Sequence, residues 1–411
     1  MTSLDDETAR AERPRPLRHR NFRLLVTGSA TSSLGNAIAP VALAFAVLDL
    51  GGSASDLGLV VAAYALADVV TVLFGGVLGD RVARQVLMEG SNAVCALSQA
   101  AVAVLIIGGW ATVPLLALLG VVNGCLGALS GPSSSAMTRM TVPPDLLGSA
   151  VALRGLLQTS AAVVGYAVGG VLVAGVGPGW AIGVDAATFA VAAFCFGRLD
   201  VPHTRPEGAR ASMFGDMAEG LREVLRHTWL WLLIGQALLY HLFYGGAQSV
   251  VGPIVMGDEF GRSSWGLALG VLMAGFVVGG LICLRWKPRR ALFIGTVLLS
   301  LTGTFPLAMA LSDHLWPILV GAFLHGVGLQ IFDVFWQVSI QENIAEDKLA
   351  RVYSFDLVGS FIARPIGLAA TGPIAEAVGF DHWLVVVGCV MSGSALISLS
   401  SGDVRRLQRQ S

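Results

Sequence analysis

Several ionisable residues, among them two carboxylates and two arginines, lie inside apolar stretches that are long enough to cross a membrane. Asp68 lies ten residues before Leu78, about 15 Å from the end of its stretch if that stretch is helical. Arg364 lies deep in another stretch, and Arg154 and Asp356 lie about 9 Å from the ends of theirs. A charged side chain is costly to place among lipid chains, so we expect these residues to serve a function. A carboxyl group there can bind and release a proton, and a guanidinium can pair with its ionised form.

The composition indicates a protein that crosses a membrane many times. The chain has 411 residues, of which 55% are hydrophobic and only 13% are charged, and the mean hydropathy is +0.72. Soluble proteins carry roughly 25% charged residues, so a chain this apolar would have too little polar surface to face water. The net charge of −1 gives no reason to expect a nucleic-acid partner.

The sequence lacks the common motifs of enzymes and nucleotide-driven motors. Its two lysines, Lys287 and Lys348, precede Pro and Leu, whereas a phosphate-binding G-x-x-x-x-G-K-[ST] loop needs Ser or Thr after its lysine. Neither an H-E-x-x-H helix nor a G-x-S-x-G turn occurs, and the five cysteines are far apart in apolar stretches. The sequence therefore predicts neither an enzyme nor a cofactor or metal site.

Apolar stretches of about 20 residues, the length needed to span a bilayer, predict twelve helices in two sets of six. The predicted spans are 24–48, 57–78, 87–108, 112–137, 148–174, 180–198, 229–252, 266–285, 291–311, 315–338, 350–376 and 383–401. They form one bundle at 24–198 and another at 229–401, flanked by an N-terminal segment at 1–23, a linker at 199–228 and a tail at 402–411. Apolar side chains at helical spacing in the linker predict an amphipathic helix on the membrane surface.

The basic residues predict which side of the membrane each loop faces. Of the 26 Lys and Arg residues, all but Arg154, Arg262 and Arg364 fall in segments that are cytoplasmic if the N-terminus is inside. Cytoplasmic loops are enriched in Lys and Arg, so we expect both termini in the cytoplasm. The excess of Arg over Lys, with abundant Ala, Gly and Val, favours a GC-rich bacterial source and therefore the bacterial inner membrane.

The second half of the chain repeats the first. A shift of 202 residues places Gly124 on Gly326 and Gly165 on Gly367, and it also superposes the transitions from loop to helix. Parallel repeats of six spans are typical of transporters whose halves rock about a central site.

A charged loop motif follows the second span. Residues 76–85 have the sequence GVLGDRVARQ, which resembles the G-x-L-x-D-R-x-G-R-K signature of the major facilitator superfamily but has Ala83 and Gln85 in place of Gly and Lys. The resemblance implies an all-α membrane fold of two pseudo-symmetric six-helix bundles. It also implies that Gly76 allows a tight turn and that Asp80 faces the start of the eleventh helix, with Arg81 and Arg84 as partner charges in an inner-gate lock.

Three further stretches resemble the macrolide-efflux and enterobactin-exporter branch of that superfamily. They are GLREVLRH at 220–227, DAATF at 185–189, and QE at 341–342 followed by LARVYS at 349–354. Two positions differ from the drug antiporters of the superfamily: Tyr166 replaces a proline in the fifth span, and Gly120 replaces a basic residue in the fourth. Any coupling to protons must therefore use other residues.

The resemblance implies that spans one, four, seven and ten line a central cavity. Aromatic rings with a few polar tips suit a bulky amphipathic ligand, although each residue taken alone is equally compatible with packing between helices. The predicted lining residues are Asn36, Asn123, Gln236, Tyr240, His241, Tyr244, His325, Asp333 and Trp336.

In this family the second helix packs against the eleventh, so the resemblance also predicts that Asp68 and Arg364 form a pair. A pair that breaks and reforms as the halves rock would couple access to protonation, whereas a static pair would only fix the helix register. Arg154 and Asp356 occupy equivalent positions in the two halves and are predicted to be gating charges or structural locks.

Together these features predict a monomeric transporter that exports a drug-like or natural-product molecule, driven by the proton gradient without a cofactor. Its expected partners are an amphipathic small molecule and the lipid bilayer. Two alternatives remain: uptake or uniport of a metabolite, and a non-transporting membrane scaffold or sensor that kept the fold.

Overall fold

The computed structural model describes residues 16–79, 82–201 and 221–408, and the regular elements among them are all helices. Long apolar sequences form these helices because only a helix pairs every backbone N–H and C=O group within one segment. The first six are α1 (Arg20–Asp49), α2 (Ala54–Gly79), α3 (Arg84–Ile107), α4 (Val113–Thr141), α5 (Leu147–Val176) and α6 (Pro178–Gly197). The second six are α7 (Thr228–Phe260), α8 (Arg262–Arg285), α9 (Ala291–Leu311), α10 (Leu315–Asn343), α11 (Glu346–Phe361 and Arg364–Val378) and α12 (Phe380–Ser398).

The predicted membrane fold is confirmed. Eleven of the described helical segments are long and apolar enough to cross a bilayer, and a shorter apolar segment, Val113–Leu129, lies within α4. Many large apolar side chains on these helices are exposed, as expected for surfaces that face lipid. The chain is therefore a multi-pass membrane protein built from twelve long helices.

Three helices of the second half are interrupted near their middles. In α7 a turn of π-helix at Ala247–Val251 precedes Pro253, and in α9 a 3-10 turn occupies Ser300–Gly303. In α11 the helix stops at Phe361 and restarts at Arg364, immediately before Pro365. Proline lacks the N–H group that a continuous helix needs and clashes with the preceding turn, which accounts for the breaks in α7 and α11.

The helices pack into two bundles that touch along two pairs of helices. In the first bundle α1 packs on α5 and α6, α3 on α4 and α6, and α2 on α4; in the second, α10 packs on α8 and α9, and α7 on α11. Between the bundles, α5 contacts α8 and α2 contacts α11. These two contacts are equivalent under the six-helix repeat, because α8 corresponds to α2 and α11 to α5.

Glycines allow the two bundles to approach closely at one end of the molecule. We call the end that carries residues 50–53 and 261 the outer end, and the end nearest 16–20 and 402–408 the inner end. On α5, a Cβ atom at Gly170 would lie 2.8 Å from the Ser263 carbonyl oxygen and 3.0 Å from Gly266 Cα of α8. On α2, a Cβ atom at Gly58 would lie 2.7 Å from the Leu368 carbonyl oxygen of α11. The missing side chains therefore let the outer halves of the bundles close on each other.

The substitution Gly170→Ala should wedge the outer end open. The added methyl group would overlap the backbone of α8, and overpacking of this kind costs about 1–3 kcal/mol. In a variant whose five native cysteines are replaced by serine, we expect faster labelling of Ser249→Cys by a membrane-impermeant maleimide added at the outer side. Gly175→Ala is the matched control, because a Cβ atom at Gly175 of the same helix has no neighbour within 4 Å. Equal labelling in both variants would contradict this account of the outer contact.

The end of the linker is tied to the inner half of α11. Residues 221–226 form a helix in which Glu223 accepts hydrogen bonds from Lys348 at 2.8 Å and from Arg226 at 3.1 Å. The hydrogen bond from Lys348 holds the pKa of Glu223 below its ordinary value. The rest of the predicted amphipathic helix lies outside the described residues.

The substitution Glu223→Gln should release the 221–226 helix from α11. Because the folded-state pKa is depressed, the contact is fully present above the ordinary glutamate pKa and is lost as the pH falls through the lowered value. We expect weaker protection of the 221–226 amides against hydrogen exchange, relative to their intrinsic rates at each pH, in the variant at neutral pH and in the wild type at acid pH. The control is Glu259→Gln, at the outer end, which should leave the exchange of the 221–226 amides unchanged. If Glu223→Gln also left it unchanged, the hydrogen bond between Lys348 and Glu223 would not be what holds this helix on α11.

Candidate functional site

Among the cavities lined by the described residues, one of about 590 Å³ lies in the second bundle. It is bounded mainly by α7, α10 and the inner half of α11. We call it the aromatic cavity, because Phe276, Phe332, Trp336, Tyr353 and Phe361 are among its lining residues. Its polar lining residues are Gln236, Tyr240, His241, Asp333, Gln337, Ser354, Asp356 and Ser360.

Most polar groups of the aromatic cavity have protein partners, although not every buried donor does. Trp336 Nε1 donates a hydrogen bond to Asp356 Oδ2 at 3.1 Å, and the Trp336 ring stacks on Phe332 with centroids 6.1 Å apart. The Gln236 amide nitrogen is buried and has no hydrogen-bond partner among the described residues. Unsatisfied buried donors are rare in folded proteins, so this one is available to a bound molecule or water.

A second cavity of about 360 Å³, which we call the serine cavity, lies in the inner half of the first bundle. Ser29, Ser32, Ser33, Ser91 and Ser134 line it together with Arg154 and Asn36. Arg154 donates hydrogen bonds to the Ser134 carbonyl oxygen at 2.7 Å and to Thr138 Oγ1 at 2.6 Å. This guanidinium is therefore fixed against α4, while Asp356, its equivalent in the repeat, lines the aromatic cavity of the other bundle.

The third cavity, of about 160 Å³, is lined by both bundles, and we call it the central cavity. Asn36, Tyr64, Gln99 and Asn123 contribute from the first bundle, and Ser249, Arg364 and Leu368 contribute from the second. Asn123 donates hydrogen bonds to Ser98 Oγ and to the Leu119 carbonyl oxygen. A group bound here would touch residues of both halves.

Asp68 and Arg364 lie on opposite sides of the contact between α2 and α11. The charge of Arg364 acts on Asp68 and on Tyr64, but the two charged groups do not come within the 4.0 Å of a direct ion pair. Because of the break in α11, Arg364 is the first residue of the outer half of this helix and lies near the middle of the span. Asp68 and Arg364 therefore do not form a direct ion pair in this conformation, and the predicted pair remains a prediction.

Two residues predicted to line a cavity lie behind the cavity wall instead. His325 is fully buried, and its Nε2 atom lies 2.8 Å from the Tyr240 hydroxyl. The Tyr244 ring packs on His325 with centroids 4.4 Å apart. The regular spacing of Tyr240 and Tyr244 carries them around the helix, so only Tyr240 of the two reaches the aromatic cavity.

Part of the predicted inner-gate motif lies outside the described residues, namely Asp80 and Arg81. Gly76 lies near the end of α2, and Arg84 is the first residue of α3. The lock expected of these four residues remains a prediction.

Two polar contacts at the outer end were not anticipated from the sequence. Arg262 of α8 donates two hydrogen bonds to the Asp49 carboxylate of α1 and lies over the Phe45 ring, 5.4 Å from its centroid. Glu376 of α11 accepts hydrogen bonds from the backbone N–H and the hydroxyl of Ser55 at 3.0 and 2.6 Å. The contact between Arg262 and Asp49 could have been suspected from the sequence, because Arg262 is the single basic residue in the predicted outer loops.

A buried carboxylate in α6 was also missed. Asp185 has no exposed surface and accepts a hydrogen bond from Gln99 Nε2 at 2.6 Å. Only glycine fits at position 35 of α1, because a Cβ atom there would overlap Thr188 and Asp185. The position of Asp185 near the outer start of the sixth predicted span favours a capping or packing role over a role in transport.

These features define a class of membrane protein. Two pseudo-symmetric bundles that enclose cavities between and within them are the architecture of secondary transporters that alternate access between the two sides. The family model described as "Major Facilitator Superfamily" matches residues 25–284. The chain belongs to this superfamily, and it is a transporter by family.

Two relatives that match nearly the whole chain are named as efflux proteins. The chain is 22% identical over 400 residues to macrolide efflux protein A of Streptococcus pyogenes, covering 94% of this chain and 97% of that protein. It is 27% identical over 410 residues to the multidrug efflux pump Tap of Mycolicibacterium fortuitum, covering 93% and 96%. Both relatives therefore match the chain from one bundle to the other.

Solved structures confirm the fold at lower sequence identity. The nucleoside transporter NupG has a TM-score of 0.72 at 10% identity and covers 93% of this chain and 97% of its own. A bacterial homologue of the human lysosomal transporter Spinster, in an inward-facing and unoccupied conformation, has a TM-score of 0.64 at 15% identity and covers 95% of each chain. At such identities the likeness extends to the fold alone.

The Asp49–Arg262 ion pair should contribute modestly to closure of the outer end. Its side chains are 38% and 40% exposed, and exposed ion pairs contribute about 0–1 kcal/mol. We therefore expect Asp49→Asn to speed the outer-side labelling of Ser249→Cys less than Gly170→Ala does. Because salt screens the ion pair in the wild type, the effect of Asp49→Asn should be smaller at high salt than at low salt.

The exchanged pair, Asp49→Arg with Arg262→Asp, should restore slow labelling, and Asp313→Asn in another outer loop should have no effect. Failure of the exchanged pair to restore it, despite normal insertion, would show that the two residues do not act through their charges.

Proposed function

We propose that this protein is a proton-driven exporter of amphipathic small molecules, located in the bacterial inner membrane with both termini in the cytoplasm. The observation that carries the proposal is the placement of Asp68 and Arg364. Asp68 is on α2 and Arg364 is on α11, and these two helices are in contact between the bundles. The charge of Arg364 acts on Asp68, and Arg364 also lines the central cavity. Protonation of Asp68 can therefore alter the contact between α2 and α11 and, through Arg364, the central cavity.

The conformation supports loading of substrate from the inner side. Glycine contacts and two polar contacts join the bundles at the outer end. The aromatic and serine cavities lie in the inner halves of the second and first bundles, respectively. Substrate bound from the inner side would occupy the space between these two walls before the bundles rock.

Coupling follows from the electrostatics of Asp68 and Arg364. When Asp68 is ionised, it attracts the guanidinium of Arg364 and favours close approach of α2 and α11. When Asp68 is protonated, that attraction is lost and the two helices separate more easily. A proton taken up from the outer side and released inside thus drives one cycle, because the proton gradient favours protonation in the outward-open state.

The relatives support the direction of transport. Two proteins that match nearly the whole chain are named for macrolide efflux and multidrug efflux. The lining of the aromatic cavity agrees with a bulky amphipathic substrate. The unusual Tyr166 packs close to Gly266 of α8, at the bundle contact, and not in a cavity.

The test is transport by the purified protein in liposomes under an imposed pH gradient. A set of macrolides, siderophores and cationic dyes should contain compounds that accumulate against their gradient when the gradient is applied, together with proton movement. Counterflow that persists without a pH gradient, and is not altered by one, would favour uniport and overturn the proposal of proton coupling.

Asp68→Asn should abolish substrate-dependent proton movement, because the amide cannot ionise at this position. Downhill exchange of substrate should remain, since the cavities are intact. The matched control is Asp313→Asn, which removes an exposed carboxylate at the outer end and should leave coupling unchanged. Undiminished proton movement in Asp68→Asn would remove this residue from the mechanism.

A further inference from the structure

Exposed cations are concentrated at the inner end of the second bundle. Four of them lie in the connection between α8 and α9, and two lie in the short helix Gly402–Arg406. We call them the basic patch, which consists of Arg285, Lys287, Arg289, Arg290, Arg405 and Arg406. Within these two segments Asp403 is the single acidic residue, so the patch has a large excess of positive charge.

Buried apolar side chains bring the two segments of the basic patch together. The helix Gly402–Arg406 contacts both α9 and α7. Its Val404 side chain has no exposed surface and belongs to the same apolar cluster as Leu292, which lies two residues after Arg290 in the chain. Because Val404 is buried, the helix is held with Arg405 and Arg406 exposed beside α9. The two groups of cations are therefore parts of one preformed surface.

No ion pair among the described residues neutralises the basic patch. The ion pairs found there involve Glu223 or Asp49, and none includes a cation of the patch. Arg405 donates a hydrogen bond to the Ser400 carbonyl oxygen at 2.8 Å, and this contact with a neutral group leaves its charge uncompensated. The connection between α10 and α11 differs, because Lys348 there is bonded to the Glu223 carboxylate.

Exposed apolar side chains adjoin the basic patch. Leu284, immediately before Arg285, is 72% exposed, and Ile397, near the end of α12, is 70% exposed. Trp286 lies between two cations of the patch, and its half-exposed ring packs edge-on against Phe335. Tryptophan is typical of the boundary between lipid chains and water. The cations therefore lie at the depth of the lipid head groups, directly beyond a surface that faces the chains.

An anionic phospholipid matches both the charge and the apolar surroundings of this surface. Its phosphate would receive charge-assisted hydrogen bonds from the arginines, while its acyl chains would cover the exposed apolar side chains. A soluble anion would leave those side chains uncovered, and a zwitterionic lipid brings a cation of its own. We propose that the basic patch is a binding site for an anionic phospholipid, whose head group bridges the connection between α8 and α9 and the helix Gly402–Arg406.

Two lipids with the same acyl chains test the charge preference. Dioleoylphosphatidylglycerol is anionic, whereas dioleoylphosphatidylcholine is neutral overall. With the purified, delipidated full-length protein in a non-ionic detergent, native mass spectrometry should show saturable binding of the phosphatidylglycerol, about tenfold tighter than that of the phosphatidylcholine. Raising the concentration of ammonium acetate should reduce this preference, because salt screens the cations. Equal binding of the two lipids at low salt would overturn the proposal.

Substitutions in the patch test its position. Arg289→Gln combined with Arg290→Gln should weaken phosphatidylglycerol binding by about tenfold and leave phosphatidylcholine binding unchanged, because it removes two cations at the head groups. Arg289→Lys combined with Arg290→Lys keeps both charges and should retain most of the affinity. Unchanged phosphatidylglycerol binding in the glutamine variant, in monodisperse protein, would overturn the proposal.

A matched control removes the same number of charges elsewhere. Arg139→Gln combined with Arg198→Gln eliminates two exposed cations at the inner end of the first bundle and should bind both lipids as the wild type does. If this control lost as much affinity for phosphatidylglycerol as the patch variant, the overall charge of the inner end would account for binding, and the assigned site would be wrong.

Hydrogen exchange tests whether one head group spans both segments. Phosphatidylglycerol should increase the protection of the 402–406 amides in the wild type but not in the variant with Arg289→Gln and Arg290→Gln, whose sequence at 402–406 is unchanged. Inorganic phosphate should give no such protection. Equal protection by inorganic phosphate, or lipid binding that leaves 402–406 unprotected, would overturn the bridged lipid site. These experiments measure no transport, so their outcome is independent of the proposed function.

Discussion

The cost of placing a charge where water is absent constrains this structure more than any other effect. Most intramembrane charges described here have a hydrogen-bond partner or line a cavity. Arg154 is bonded to α4, Asp185 to Gln99, and Asp356 to Trp336, whereas Asp68 is influenced by the charge of Arg364 on the neighbouring helix. The helices are positioned so that these groups remain solvated by protein or by water in a cavity, and the cavities in turn provide the space in which a substrate is held.

Glycine fixes how closely the bundles approach, and it does so in the same way at both contacts. Gly170 and Gly266 bring α5 onto α8, and Gly58 brings α2 onto α11. Without side chains the contacts consist of backbone atoms, which have little rotameric freedom to lose when the surfaces meet. The polar contacts beside them, such as Asp49 with Arg262, are half exposed and therefore weak. A closure of this kind is specific in geometry yet easily reversed, as a cycle of alternating access requires.

The sequence predicted the fold well because hydropathy and helix length are properties of single segments. The twelve spans and the superfamily were recognised, and the twofold repeat agrees with the equivalence of the two bundle contacts. Site residues were predicted less completely, since a cavity depends on which face of each helix points inward. Gln236, Tyr240 and Asp333 line the aromatic cavity, whereas Tyr244 and His325 pack behind it. The contacts of Asp49 with Arg262 and of Ser55 with Glu376 join residues 213 and 321 positions apart, a pairing that no local pattern encodes.

The interruption of α11 has a mechanical consequence. Its outer half, from Arg364, is pressed against α2 near Gly58, while its inner half carries Lys348 and is fastened to the end of the linker through Glu223. The break at residues 362–363 therefore divides α11, near its middle, into two halves that contact different elements. The described end of the linker between the bundles is thus bonded to the inner half of α11 and not to the outer half, so a displacement of the inner half would act directly on the linker.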